Sequence, residues 1–588
     1  MTIFSGIINL HASDLETEKT EALKEIMRKN IKEKITYEFN ENTFYCIGFD
    51  SNAYKSSGLE KDNESFTLIV GDPVLDERKN SRNEDIKKLH LGFKRGERNL
   101  LTQTRGVFSG IHFNYKNNEC YFFTDKLGIR PLYYYIDSKF FMFSSVLSYI
   151  ENLSFVNLEA DLMGFYEYAA FGYPLFNRTP YKNIKLLLGA EIITLKNGQI
   201  SSEIYWDFGK IENQSNNDVD IDKIAENAFN VFDDAIKVRI EEENALAFLS
   251  GGLDSRCVTA ALKKHTKTLQ TFNFSTVQSQ DAEFANLYSK NLGSKHHEIP
   301  MEKLYYPNWS QLISESWNAM SDHIDNNEYP KYPNKVWSGD GGSVAVGCVY
   351  LNHEMTQLLA DGLCEKAVAV FMDQNKISVP SRFLSKNNGV DANALVYEST
   401  LEEVQRITNV PDDKKLYIFL MCNDQRRHLN LHFETIGTHK TELMLPFFDG
   451  KFLSTIFSVP ARLLIEHDFY MEWFGKFPEF SRISPWQTYP GHKKCDLAIP
   501  SNLSYQWATT DKKNSQHDLA QMKKDADDVL KILFQNRAVR KNITLTFVCV
   551  AALLHRYGVK DYSYLMSFFK KMDTYFKNMP HNYLNEQP

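Results

Sequence analysis

The sequence predicts two domains in series, an α+β domain of layered antiparallel sheet followed by an α/β domain built on a parallel sheet. Three observations predict it: the length of the chain, a first third broken into short β-type runs, and a strand, turn, helix, strand string near the middle. At 588 residues and 43% hydrophobic content, the chain exceeds what a single core usually holds. From Ile3 to about Trp206 the runs Phe66–Val70, Val107–Tyr115, Cys120–Thr124, Phe140–Ser144 and Glu191–Leu195 alternate with turn residues such as Asn117-Asn118 and Asn197-Gly198. Between Gly209 and Asp222 the composition shifts to Asn, Ser and Asp without apolar periodicity, the mark of a surface linker. The expected domains are therefore 1–208, a linker at 209–222, and 223–588.

The second domain opens with Ile224, Ala228, Val231, Ala235 and Val238 at helical spacing, followed by the apolar run Ala245–Leu249. A glycine-containing turn leads to a second helix with Val258, Ala261 and Leu262 on one face, and then to a β run, Leu269–Phe274. Such a βαβ unit places its ligand site at the strand's carboxyl end. The turn reads Leu249-Ser250-Gly251-Gly252-Leu253-Asp254-Ser255. Two glycines let the backbone approach an oxyanion, the Ser250 and Ser255 hydroxyls add donors, and the helix points its first N–H groups at the same spot. That combination suits pyrophosphate. Asp254 would repel a phosphate if it stood alone, so it is expected to hold Mg²⁺ bridging phosphate oxygens. A bare Gly-Gly turn is often mere chain geometry; the full string between strand and helix points to a nucleotide.

Composition narrows the partners. With 67 basic and 75 acidic residues the net charge is −8, which supplies no general footprint for nucleic acid or an anionic membrane. Eight cysteines lie far apart with no Cys-x-x-Cys pair, and are expected to be reduced thiols in a cytoplasmic protein. Met1 to Glu18 lacks the parts of a secretory signal. The most apolar late segment, Ile543–Leu554, is short of the roughly 20 residues that cross a bilayer, and is expected to be a buried C-terminal helix.

Ser250 to Ser255 resembles the pyrophosphate loop of the asparagine synthetase family, whose members adenylate aspartate. Further stretches resemble that family in the same order. Asp125-Lys126-Leu127-Gly128-Ile129-Arg130-Pro131-Leu132-Tyr133-Tyr134 is similar to the end of its glutaminase domain, and Thr179-Pro180-Tyr181-Lys182-Asn183-Ile184 to the segment before its hinge. Ser338-Gly339-Asp340-Gly341-Gly342 resembles its second ATP-side loop, and Glu442 with Leu445-Pro446-Phe447-Phe448-Asp449 its Glu-x-x-x-Pro-Phe-Leu-Asp signature. The resemblance implies a glutaminase-like αββα domain of the Ntn-hydrolase kind, then an adenine-nucleotide α-hydrolase-like synthetase domain with a helical C-terminal part. It also implies that Leu249, Phe274, Ser338 and Gly339 border the adenosine. Asp340 stands where the family has a glutamate near the adenylate, so it would act as a base or orienting group; an Asp before Gly is equally a turn residue. Glu442 would be catalytic by the same resemblance, and Glu283 matches an acidic residue that opens a helix.

The pattern also breaks. Glutamine-hydrolysing members begin Met-Cys-Gly-Ile and use an N-terminal cysteine, whereas here Ser5 occupies the nucleophile position with four residues before it. The family's Asn-Gly-Glu is replaced by Val70-Gly71-Asp72, and an inactive glutaminase is expected. In the second loop Ser343 takes the place of a magnesium-binding Asp, with Val344 after it, leaving Asp340 or Asp322 to compensate. The family lysine that neutralises the transition state three residues after a Trp is missing if that Trp is Trp486, since Tyr489 stands there; Lys493 and Lys494 are the nearest substitutes. Loss of the glutaminase cysteine is shared with β-lactam synthetase, carbapenam synthetase and the lasso-peptide macrocyclases, in which the substrate itself supplies the amine. The readings left open are a glutamine-independent amide ligase acting on a small-molecule or peptide carboxylate, an ammonia-using asparagine synthetase, and an ATP-binding pseudoenzyme. A homo-oligomer or a pathway partner protein is also allowed.

Overall fold

The computed structural model describes residues 2–11, 14–31, 34–76, 81–211, 220–275, 278–300, 320, 323–324, 334–375, 379–385, 391–503, 505 and 516–577. Two antiparallel sheets and one parallel sheet organise them. The first sheet is assembled from β1 (Ile3–Asn9), β2 (Tyr37–Glu41), β3 (Phe44–Phe49), β8 (Tyr133–Ile136), β9 (Phe140–Ser144) and β10 (Ile184–Leu186), in the order β10-β8-β9-β1-β3-β2. The second contains β4 (Leu59–Lys61), β5 (Ser65–Asp72), β6 (Val107–Asn114), β7 (Glu119–Thr124), β11 (Glu191–Lys196) and β12 (Gln199–Ile204), in the order β12-β11-β7-β6-β5-β4.

Strand alternation sorts β1 between two cores. Phe4 and Ile8 join Phe44, Phe66, Phe113, Phe122 and Phe143 in an apolar layer between the sheets. The rings stack there, Phe44 on Phe113 at 4.1 Å and Phe39 on Phe66 at 4.2 Å. Ile3 and Ile7 instead face the outer core with Leu23 and Met27 of the helix Thr17–Ile31. The helix Arg82–Lys94 buries Ile86, Leu89 and Phe93 and packs on β5. Helix, sheet, sheet, helix is the αββα layering expected.

The third sheet is parallel throughout, in the order β15-β14-β13-β16-β17, with β13 at Asn244–Phe248, β14 at Thr268–Ser275, β15 at Lys295–Pro300, β16 at Asn334–Trp337 and β17 at Thr441–Met444. The chain leaves β13 to one side for β14 and later returns on the other side as β16. Their carboxyl ends therefore flank a topological switch point, the usual ligand crevice of such sheets. The helices Ile221–Lys237, Asp254–His265 and Gln280–Leu292 accompany this sheet, and further helices lie between His353 and Lys577. The last, Ser563–Lys577, lies against the N-terminal domain, where Phe576 stacks on Phe165 at 4.9 Å.

One expectation changes. The segment Ile543–Leu554 becomes the helix Leu545–Arg556, which buries Val548, Ala551 and Ala552 but leaves Leu545, Phe547, Val550 and Leu553 exposed. Only the stripe facing the helix Gln516–Gln535 and the turn Ser381–Phe383 is covered, because a helix turns its remaining residues away from its neighbours. Among the described residues no helix is long and apolar enough to cross a membrane. All eight cysteines are free thiols.

Buried ion pairs join the two domains. Arg130 holds Glu442 through both guanidinium ends, at 2.6 and 3.1 Å, donates to the Thr2 carbonyl at 2.7 Å and lies over the Phe433 ring. Arg105 and Arg239 each donate to Asp449 Oδ2 at 2.7 Å. Burial raises the Asp449 carboxyl, but the two guanidinium charges outweigh it and leave its pKa lowered.

Candidate active site

The turn after β13 and the loop after β16 meet over a cavity of about 410 Å³. Two glycines allow the meeting: a Cβ on Gly339 would lie 2.6 Å from the Ser255 nitrogen, and one on Gly342 would lie 2.4 Å from Asp254 Oδ1. Leu249, Ser250, Gly252, Leu253, Asp254 and Ser255 line the cavity from the first side. Phe274, Ser338, Gly339 and Asp340 line it from the others. Phe274 meets Phe248 edge to face at 5.6 Å, forming an apolar wall of the size an aromatic base can stack on.

Gly251 differs from expectation and is not part of the lining. Its N–H donates to Asp281 Oδ1 at 2.9 Å and its carbonyl accepts from the Gln487 N–H at 2.8 Å. The Ser250 N–H likewise donates to Ser255 Oγ at 2.9 Å, and the Gly252 N–H to Ser250 Oγ at 3.2 Å. The donors left for an anion are the first N–H groups of the helix Asp254–His265, which have no acceptor within the helix. Asp281 is the acidic residue that reaches the cavity; Glu283, two residues on, is exposed and lies outside it. Burial raises the Asp281 pKa to about 6 against the hydrogen bonds of Asn273 and Gly251.

Asp254 accepts from the Ser343 hydroxyl at 2.5 Å and from the Tyr470 hydroxyl at 2.7 Å. Burial raises its pKa to about 6, the two hydroxyls opposing and the Asp340 charge adding to the rise. This is a carboxylate compensated only by neutral donors. Asp254 and Ser343 offer adjoining oxygen ligands of the hard type that Mg²⁺ takes, usually one or two protein groups with phosphate and water completing the shell. Asp340 does not share that role: its Oδ2 accepts from the Ser338 hydroxyl at 2.5 Å and its Oδ1 lies 3.4 Å from His428 Nε2. Asp322 lies outside the described residues.

Two further expectations fail for geometric reasons. Glu442 is fully buried in β17 against Arg130, while its strand neighbour Leu443 lines the cavity, because successive side chains leave a strand on opposite faces. Glu442 is a clamp between domains and does not reach the cavity. Lys493 and Lys494 are exposed and outside the lining, with Lys493 3.7 Å from Asp468. Gln487, Thr488 and Tyr489 line the cavity instead, on a segment pinned by Arg256, which donates to the Ser484 and Pro485 carbonyls at 2.8 Å.

Sequence reasoning missed Asp424, His428 and His432, all of which line the cavity. They sit at i, i+4 and i+8 on consecutive helical segments, Met421–Gln425 in a π-helical turn and then Arg426–His428 and Asn430–His439. The spacing Asp-x-x-x-His-x-x-x-His was the available signal. Burial lowers the His428 pKa, but the hydrogen bond and charge of Asp340, with Asp424 behind, raise it overall. Conversely, burial raises Asp340, and the hydrogen bond and charge of His428 bring it below its ordinary value. Among the described lining residues the basic side chains are the imidazoles of His428, His432 and His467, and burial with the nearby His492 brings His467 down to about 3, which keeps it neutral.

At the supposed glutaminase position, Ser5 is fully buried and its hydroxyl donates to the Phe143 carbonyl at 3.1 Å. Val70 is buried in the layer between the two sheets. Arg82, also buried, donates to the Gly71 carbonyl at 2.8 Å and covers the Tyr54 ring.

Comparison with known proteins agrees with this architecture. Residues 78–206 match a glutamine amidotransferase domain and residues 229–312 an asparagine synthase domain. The chain is 28% identical to the glutamine-hydrolysing asparagine synthetase of Bos taurus over 64% of its own length and 60% of that protein's. For the enzyme of Mus musculus the identity is 24% over 64% and 60%, and for asparagine synthetase 3 of Bacillus subtilis 26% over 31% and 30%. The chain thus spans at most three-fifths of these relatives' length. Among solved structures, glutamine phosphoribosylpyrophosphate amidotransferase of B. subtilis is similar at 9% identity and a TM-score of 0.23, covering 57% of this chain and 81% of its own, too loose to bear on function. An amidotransferase-type domain is therefore followed by an asparagine-synthase-type domain, the second of which implies use of ATP.

Proposed function

We propose that the chain is an AMP-forming carbon–nitrogen ligase that adenylates a carboxylate and passes the acyl group to an amine without drawing on glutamine. The observation that carries the reading is the meeting of Ser250–Ser255 with Ser338–Asp340 around one cavity at the switch point of a parallel sheet. ATP would lie with its base against Phe274 and its phosphates on the N-terminus of the helix Asp254–His265. Asp254 and Ser343 would hold Mg²⁺, which supplies charge neutralisation for the departing pyrophosphate. The acyl oxygen attacks the α-phosphorus, pyrophosphate leaves, and the amine then displaces AMP from the acyl carbon. Without an ammonia supply, the amine and the acyl group belong to one molecule or to two specific partners, where an attached amine gains a high effective molarity.

The test is release of AMP and pyrophosphate that depends on the carboxylate. In the ring-closing form the product weighs one water less than the acid and forms without ammonium salt. If aspartate with ammonium yields asparagine as efficiently as any cyclic product forms, the chain is an ammonia-using asparagine synthetase instead.

Glutamine is expected to remain intact. A buried serine hydroxyl engaged with the Phe143 carbonyl lacks the nucleophilicity of a thiolate, and Val70 offers no polar group to a substrate amide. Incubation with glutamine should give no glutamate above buffer; sustained release that disappears in Ser5→Ala would refute the glutamine-independent reading.

A further inference from the structure

We propose that His428 is the group that takes the proton from the attacking amine, and that Asp340 is the positioning residue that orients it. The proposal rests on the ligase reading above and, of the two roles expected for Asp340 from sequence, base or orienting group, takes the second. As the amine nitrogen bonds to the acyl carbon it gains positive charge; its N–H bond must break as the carbon–oxygen bond to AMP breaks, and the proton needs an acceptor. Asp340 is poorly suited, because one oxygen accepts from Ser338, the other faces His428, and a carboxylate so well compensated binds protons weakly. Imidazole accepts a proton near neutrality.

The geometry favours the pair. His428 Nε2 stands 3.4 Å from Asp340 Oδ1, and the two residues arrive from different elements, the loop after β16 and the helix that follows the π-helical turn. A proton on Nε2 directed at Asp340 makes Nδ1 the basic nitrogen, the tautomer being inferred from the pairing. Asp340 is itself held by the Ser338 hydroxyl, and the Ser338 N–H donates to the Met444 carbonyl of β17 at 3.0 Å, so the carboxylate is anchored to the sheet. Asp424 and His432 lie one helical turn before and after His428; Asp254, His467 and Tyr470 face it across the cavity. The π-helical turn widens the helix at this wall, a distortion frequent at functional sites.

Two measurements on the full chain decide the matter. With L-aspartate as carboxylate probe and ammonium as amine, His428→Gln should keep aspartate-dependent exchange of labelled pyrophosphate into ATP and lose amide formation by on the order of 100-fold or more. Asp340→Asn should slow amide formation while moving its pH profile to lower pH, since removing the carboxylate lowers the His428 pKa and the neutral base then persists in more acid solution; Asp340→Glu should restore much of the rate. Amide formation at the wild-type rate in His428→Gln overturns the proposal. Absence of aspartate-dependent exchange in the wild-type chain means that aspartate is not its carboxylate, and the second measurement then carries the decision. In protein labelled at histidine carbon, the resonance lost in His428→Gln should titrate above an ordinary histidine and fall in Asp340→Asn. The same titration in both proteins overturns the pairing, whatever the substrate.

Discussion

Asp254→Asn abolishes carboxylate-dependent exchange of pyrophosphate into ATP while leaving the protein folded. The carboxylate stands at the head of the helix proposed to receive the phosphates, and it accepts from the hydroxyls of Ser343 and Tyr470, with the Ser343 N–H beside them. An amide keeps the shape and accepts from one of the two hydroxyls, the other turning to accept from its NH2 group, but it cannot offer Mg²⁺ an anionic oxygen. Losing a Lewis-acid site withdraws several kcal/mol of transition-state stabilisation, and about 4 kcal/mol corresponds to on the order of 1,000-fold in rate. Stability should move the other way. Burial raises the Asp254 pKa to about 6, so ionising it in the fold is unfavourable and the folded state is penalised as pH rises through that value. Asparagine removes the penalty, and the variant should melt no lower than wild type at pH 7.5. Mg²⁺ with ATP should raise the Tm of wild type and fail to raise that of the variant. Undiminished exchange in Asp254→Asn would remove Asp254 from the nucleotide site.

Arg130→Ala is expected to be strongly destabilising. It strands Glu442, which is 1% exposed, without the guanidinium that holds it at 2.6 and 3.1 Å. Breaking a buried pair by removing one partner costs about 3–5 kcal/mol, because the remaining charge is uncompensated. The drop should appear as a lowered urea midpoint. The double variant Arg130→Met with Glu442→Leu should recover much of it, since exchanging a buried pair for apolar groups is often neutral. Equal destabilisation by the single and double variants would show that the loss comes from packing, with Phe433 the nearest candidate.

Much of the architecture was legible because it depends on local patterns. Apolar runs broken by Asn-Gly and Asn-Asn turns give antiparallel strands, and the run Ala245–Phe274 contains strand, turn, helix and strand in sequence. The site was less legible, and each miss has its own cause. Glu442 carries a motif, but all four residues of β17 are buried, so no polar alternation reveals which way the glutamate faces. Gly251 reads as a phosphate donor until Asp281, 30 residues away, claims its N–H. His428 lies far from both loops in sequence, and a π-helical turn shifts the phase of its helix in a way that no regular period encodes. Lys493 and Lys494 have the right charge near the right position, but solvated lysines are too common for charge alone to place them.

The helix that carries His428 is tied down by two neighbouring arginines that address main chain rather than side chains. Arg426 donates to the carbonyls of Phe176, Leu186 and Leu187, and Arg427 to those of Phe176 and Arg178. Carbonyl oxygens are present whatever residue bears them. This one attachment is therefore indifferent to which side chains the segment from Phe176 to Leu187 carries, provided its backbone path is kept, whereas the clamps of Arg105 and Arg130 demand particular residues. A segment gripped in this manner can change its letters and keep its hold, because the two arginines read its trace alone.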